Sequence, residues 1–371
     1  MLTELDDTLW HQIPTTFDHV GTSDPRFFDR YWFAIYAPDE GVSMQVTMGS
    51  YSNTNVLDAG VMVLDGNRQH NLRPSRALRP QFETSVGPVR VEVVKPMEHL
   101  RLVCAPGDHD LAFDLAWKAT LPPEEEKPHY SRLNGRVQEE YQRFNQIGRV
   151  SGSLTVGGRQ VAVADWWSAR DHSWGIRPGI GGPQPQNGES SPAGSAGTLF
   201  CFLFFSTPTV AGHVQIAERH GARAYLTGLL RFNGPGGWVE YSVQDAELGL
   251  EFLPGTRRPR RATIQASVEG KGPVSLILDS VGPSFAMPGL GYNGWDDRLG
   301  LGVYRGRSYQ ERDTWDVTHP ADVVLPGGSV ERPPHRIQPV RVTLSTEGLS
   351  EVGQGSLTLV ANGRLPKYGL E

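Results

Sequence analysis

Thirteen residues, Asp165 to Arg177 (DWWSARDHSWGIR), hold three Trp, two Asp, two Arg and one His. Those types together suit proton transfer beside an apolar surface. An imidazole titrates near neutrality, and an adjacent carboxylate or a dry pocket tunes it. A carboxyl group walled by indoles has a raised pKa and can donate a proton. A guanidinium, Arg170 or Arg177, can hold a carboxylate or phenolate of a substrate. Asp171, His172 and Arg170 are therefore the candidate catalytic residues. Trp166, Trp174 and Arg177 are candidate substrate contacts. The plainer alternative is an aromatic corner closing a sheet, with Arg170 and Asp171 in surface ion pairs worth little.

A strand through the stretch sends alternate residues to opposite faces. Trp166, Ser168, Arg170, His172 and Trp174 then share one face, and Asp165, Trp167, Ala169, Asp171 and Ser173 the other. Asp171 and His172 are neighbours, so only one of them enters a given pocket unless a bulge turns the chain. Gly175 leaves room for such an irregularity.

A second cluster, Gly289 to Asp297 (GLGYNGWDD), places Tyr292 and Trp295 among glycines, either at the mouth of a barrel or in a surface turn. Tyr51, Tyr31 and Trp32 are further aromatic residues for a pocket or a core. Other chemistries lack their residues. A metal site needs three or four converging ligands, and His172 has no partner His at two or four residues, so none is expected. Asp108-His109-Asp110 follows Pro106-Gly107 and reads as a turn. The glycine runs lack the strand, helix and Lys-Ser/Thr context of nucleotide loops. No Gly-Xaa-Ser-Xaa-Gly elbow is present. No cofactor is expected.

The elements that would position these residues are strands. The chain has 371 residues with 43 Gly and 28 Pro, well above the usual share of about 12% for the two together. Many turns and many short strands follow. Val42 to Tyr51, Val56 to Leu64, Val89 to Val93, Leu111 to Trp117 and Ala262 to Val268 alternate apolar and polar residues or run apolar. Asp65-Gly66-Asn67 and Gly157-Gly158 read as hairpin turns, the second leading directly into the Trp-rich stretch. Leu5 to His11 is a candidate short helix docked by Leu9 and Trp10. Gln138 to Gln146 is the one mid-chain stretch with helical potential. Pro122 to Pro128 is an acidic, Pro-bounded loop. Pro178 to Gly197 holds almost nothing apolar and is either a lid or a linker.

This length favours two domains. The pattern is that of antiparallel meanders curling into barrels, so the expected fold is all-β with two tandem β-barrels. The expected division is 1–190 for the first barrel and 191–371 for the second. Net charge is −6, with no basic face, which argues against nucleic-acid binding. The one basic cluster, Arg257-Arg258-Pro259-Arg260-Arg261, reads as a solvated hairpin loop. Cys104 and Cys201 lie in apolar runs and read as small hydrophobes. The N-terminus shows no signal-peptide pattern and no apolar run approaches 18 residues, so a cytoplasmic protein without a membrane span is expected.

At Asp171-His172-Ser173-Trp174-Gly175 the sequence resembles the AttH-type, carotenoid 1,2-hydratase-like (hydroxyneurosporene synthase-like) proteins, which carry an Asp-His-Xaa-Trp-Gly signature late in the first of two lipocalin-like barrels. The Gly-rich hairpin Ser151 to Gly158 matches the family's style. The resemblance implies a cofactor-independent lyase or isomerase of hydratase, dehydratase or cyclase type, acting on a hydrophobic terpenoid, steroid or aromatic compound. It makes Asp171 and His172 the acid and base and Trp174 a wall; Tyr51, Tyr292 and Trp295 stand beside it as candidate substrate contacts read from the residues alone. Ala169-Arg170 stands where carotenoid hydratases carry Tyr-His, which points to a ligand with a polar or anionic end near Arg170. The alternative is a non-catalytic carrier of a hydrophobic ligand. The expected partner is a hydrophobic small molecule, a homodimer being left open.

Overall fold

The computed structural model describes residues 2–9, 11–185 and 197–370. Among them there is no α-helix, only strands and five short 3-10 turns. The strands are long and antiparallel and form two sheets. The first is ordered Val330–Glu331, Val323–Val324, Ser308–Asp316, Arg68–Ala77, Val56–Asp65, Val42–Tyr51, Phe27–Ala37, Arg159–Ile176, Arg136–Val156, Leu111–Ala119, His99–Cys104, Val89–Lys95 and Ser85–Val86. Three of its strands thus come from beyond residue 300. The second sheet closes into an eight-stranded barrel, because Gly272–Ser280 pairs with Arg336–Thr346 across the seam. The expected all-β fold with two lipocalin-like units is the one found.

Period-two alternation sorts the side chains into three main cores, with a smaller cluster of Phe28, Tyr51, Val56, Ile180 and Leu301 beside them. The concave face of the first sheet buries Phe33, Met44, Val61, Leu102, Trp117 and Trp166. The second barrel is filled by Cys201, Leu203, Phe205, Ile264, Leu276 and Leu344. The convex faces of both sheets meet in a third core, where Trp32, Tyr36 and Trp167 pack on Phe202, Phe204 and Phe285. Trp32 lies over Phe204 at 5.8 Å between centroids, and Tyr36 over Phe285 at 5.7 Å. This seam explains why Val42–Tyr51 and Val56–Asp65 are almost entirely buried: each of their faces is covered. Both cysteines are buried and free, and burial pushes each thiol up to about 12.

Several local expectations change. Gln138 to Gln146 is not helical; it lies inside the Arg136–Val156 strand, with Arg159–Ile176 on one side and the short strands His129–Leu133 and Glu124–Glu125 on the other. At the N-terminus only Glu4–Asp7 forms a 3-10 turn, Leu9 is 93% exposed rather than docked, and Trp10 lies outside the described residues. Of the Pro178 to Gly197 stretch, residues 186–196 also lie outside them. Arg258, taken as solvated, is buried and donates to the carbonyl of Pro333 at 3.0 Å. Among the described residues no helix is long and apolar enough to cross a membrane.

Candidate active site

The Arg159–Ile176 strand pairs without a register shift from Trp167 to Ile176 on both sides. Its bulge falls earlier, between Val150 and Gly152 of the neighbouring strand, near Asp165 with φ +56°. Asp171 and His172 therefore face opposite sides of the sheet. His172, Arg170 and Trp166 face the concave side; Asp171 faces the seam.

On the concave side, His172 Nε2 lies 2.6 Å from Asp29 Oδ1. Its ring contacts Tyr31 at 4.5 Å and Phe144 and Trp174 at 5.3 Å. Trp174 is 38% exposed, so this group sits at the rim. Deeper, Arg170 lies between Trp117 and Phe144, 4.9 and 5.0 Å from their ring centres, and donates to Gln146 Oε1 at 2.7 and 3.0 Å. Burial lowers its pKa to about 10. Trp166 is part of the first core and donates to Glu40 Oε1 at 3.1 Å.

On the seam side, Asp171 stands opposite Trp32 on one neighbouring strand and Asn145 on the other. It is half-buried, on the face of the strand that also carries Trp167 and Ala169 into the seam. No hydrogen bond reaches its carboxyl from the described residues. Burial raises its pKa; Arg143, Arg177 and Arg30 pull it down and Glu126 pushes it up, and the balance is a raised value. A carboxyl whose pKa is raised is better suited to donate a proton than an ordinary one.

Arginines flank Asp171 on both sides. Arg30, opposite Ser173, reaches Tyr292: its Nη1 donates to the phenolic oxygen and its guanidinium lies 4.7 Å from the ring centre. Arg177 lies 4.7 Å from the Phe28 ring centre and 5.8 Å from that of Tyr292. Gly175 makes this placement possible. Its φ is +135°, and a Cβ there would stand 2.2 Å from the carbonyl oxygen of Glu140. Burial would raise the pKa of Tyr292, but Arg30 and Arg177 outweigh it and lower the value. Behind Arg30, Asp58 accepts from Tyr51 at 3.0 Å and from the Gly302 amide at 2.9 Å. Arg177, Tyr292, Pro288 and His335 line a cavity of about 440 Å³ at this end of the seam.

On the other side of Asp171, Glu126 is fully buried. It accepts from His129 Nε2 at 2.9 Å, Asn145 Nδ2 at 2.7 Å and Arg143 Nη1 at 3.3 Å. Burial alone would raise its pKa; Arg143, His129, His213 and Asn145 outweigh it and bring it down to about 2. Arg143 also donates to Gln215 of the second barrel, and His213 Nδ1 lies 2.7 Å from Glu124 Oε1. These links tie the two sheets together.

Of the residues singled out in the sequence, the fold brings Asp171, Arg177, Tyr292 and Tyr51 to the seam. It gathers His172 and Trp174 at the rim of the first sheet's concave face, with Arg170 and Trp166 deeper. Trp295 joins neither group. It is fully buried, with Arg305 4.1 Å over its ring. Sequence reasoning missed Arg30, Asp58, Glu126, Arg143 and His335, whose partners come from distant strands. Among the described residues, no group of three or more His, Cys, Asp or Glu is arranged to hold a metal ion.

The chain belongs to a family described as being of unknown function (DUF8625), whose pattern spans residues 2–330. No curated protein matches it. Among solved structures it is similar to kievitone hydratase from Nectria haematococca, at TM-score 0.52 and 14% identity, covering 93% of each chain. A candidate AttH from Nitrosomonas europaea gives TM-score 0.50 and 10% identity, covering 91% of this chain and 94% of that one. CghA crystallised with Sch210972 gives TM-score 0.50 and 10% identity, covering 91% and 89%. The AttH-like resemblance read from the Asp-His-Ser-Trp-Gly motif thus holds for the fold of nearly the whole chain.

Proposed function

We propose that this DUF8625 protein is a cofactor-independent enzyme of hydratase, dehydratase or cyclase type, with Asp171 as its proton donor at the seam between the sheets. One observation carries this: a carboxyl group without a hydrogen-bonding partner among the described residues stands between Trp32 and Asn145, with Arg30 and Arg143 one pair further along the neighbouring strands, and burial there raises its pKa. Kievitone hydratase, which shares the fold, lends its reaction type. Asp171 gives its proton to an alkene or enol carbon, or to a departing hydroxyl. The aromatic faces of the seam stabilise the positive charge that develops. In a hydration, water adds to the cationic carbon and its proton returns to the Asp171 carboxylate. Arg30, Arg177 and Tyr292 orient the oxygen-bearing end of a hydrophobic substrate.

The test is an incubation of the protein with a small-molecule extract of the cells that make it, in water labelled with oxygen-18. Hydration adds labelled water, dehydration removes water, and cyclisation shifts retention at constant mass. The expected result is at least one such product that Asp171→Asn fails to form. If wild type and Asp171→Asn give the same products while both retain a bound apolar compound, the protein is a carrier and the enzymatic proposal fails.

A further inference from the structure

The seam near Tyr292 carries more buried positive charge than its acids balance. Arg30 is 3% exposed, has no ion pair within 4.0 Å among the described residues, and leaves Nε and Nη2 buried without a hydrogen-bond partner. Arg177 leaves Nε in the same condition. Arg258 and Arg336, also buried, are held by carbonyl and hydroxyl oxygens rather than by carboxylates. Of the nearby acids, Asp58 is engaged by Tyr51 and Gly302, Asp171 has a raised pKa, and Glu331, which also lines the cavity, is paired with Arg298. His335 records the resulting field: burial, then Arg177, Arg258 and Arg30, bring its pKa down to about 3. Orphaned buried guanidinium donors are costly unless something else meets them. The cavity of about 440 Å³ beside them is lined by Arg177, Tyr292 and His335, with prolines 288, 333 and 334 as its apolar wall. That volume lies within the usual range of small-molecule sites, roughly 300–1,000 Å³.

We infer that this cavity takes an organic oxyanion, a carboxylate, enolate or phenolate on an aromatic or polycyclic body, and that Arg177 grips the anionic oxygen, with Arg30 adding its charge from behind Tyr292. The inference rests on the cavity being the substrate site and adds the charge of the substrate. It moves the anionic end away from Arg170, whose guanidinium is engaged by Gln146 and two rings. The guanidinium charge anchors the oxyanion while carbon elsewhere in the molecule receives the proton.

The experiment is calorimetric titration at neutral pH with two probes of nearly equal shape, naphthalene-2-carboxylate and naphthalene-2-carboxamide. Charge-assisted hydrogen bonds imply a preference for the carboxylate of about tenfold or more. Arg177→Met should remove that preference, Arg177→Lys should keep part of it, and Asp171→Asn should keep or strengthen it. Circular dichroism of each variant establishes that it is folded. Equal affinity for the two probes, no binding of either, or a preference that survives Arg177→Met overturns the inference. Neither probe needs to react, so the two proposals fail separately. A carboxylate preference without any Asp171-dependent product leaves the anion site standing and removes the enzyme. A neutral preference with such a product does the reverse.

Discussion

Glu126→Gln tests how the seam sets the protonation of Asp171. The substitution is nearly isosteric, so it removes a charge and leaves the shape. In the native protein the Glu126 carboxyl has its pKa brought down to about 2 against an ordinary 4.5. A carboxylate with a depressed native pKa stabilises the fold above its unfolded pKa, and that stability is lost as pH falls through the native value. The window is thus between about pH 4.5 and about pH 2, and the contribution at neutral pH is about 3 kcal/mol. An independent route gives the same size: breaking a buried pair and leaving Arg143 uncompensated costs about 3–5 kcal/mol. The second consequence concerns Asp171. Glu126 raises its pKa and Arg143 lowers it. With Glu126 neutral, Arg143 acts unopposed, and the Asp171 pKa falls. The assays are urea unfolding across pH and the pH dependence of product formation. Wild type should lose its stability advantage over Glu126→Gln as pH drops through the window. The alkaline limb of the variant's rate profile should move to lower pH. Equal stability of the two proteins at neutral pH would refute the burial argument. An alkaline limb that stays in place would refute the coupling to Asp171.

Other outcomes follow from the same geometry. His172→Ala should reduce product formation less than tenfold, whereas Asp171→Asn should reduce it by about 10²–10⁴, the usual worth of a general acid; initial rates on the product found in labelled water compare them. Asp171→Asn should also leave the fold as stable or up to about 2 kcal/mol more stable at neutral pH, since a group placed for function costs stability there. The sign follows from its raised pKa: native Asp171 favours folding at low pH and loses that contribution as pH rises through the native value. Gly175→Ala should destabilise by about 1–3 kcal/mol, because φ is +135° and the new methyl meets the Glu140 carbonyl. Thermal unfolding measures it, and an unchanged midpoint would count against the close approach.

Alternation alone fixed much of what the fold does with the Trp-rich strand. The two faces read for Trp166 to Trp174 are the faces found, Asp165 being displaced by the bulge, and the Gly157-Gly158 turn sits where the glycines put it. Which face meets the second barrel was not legible, because that depends on packing between segments far apart in the chain. Arg30 carries no signal in the sequence beyond preceding the aromatic Tyr31 and Trp32; its role comes from standing opposite Ser173 and reaching Tyr292. Glu124 and Glu126 lay in a segment whose charge and prolines suggest a solvated loop. They are buried because His213 and Arg143 come from other strands to meet them. Gln138 to Gln146 looked helical because its polar residues hide the period of two. In the fold Tyr141, Arg143 and Asn145 serve the seam while Phe144 and Gln146 serve the concave side. Tyr292 and Trp295 are three residues apart, yet one lines the cavity and the other packs beneath Arg305.

The central claim is that Asp171 keeps its proton to higher pH than an ordinary carboxyl. Carbon-13 NMR of protein labelled at the Asp side-chain carboxyls, with the Asp171 signal assigned by its loss in Asp171→Asn, measures this directly. A titration midpoint clearly above the ordinary value of about 3.9 is expected. A midpoint at or below that value would contradict the account, because the group would then be a plain carboxylate wherever the protein is folded.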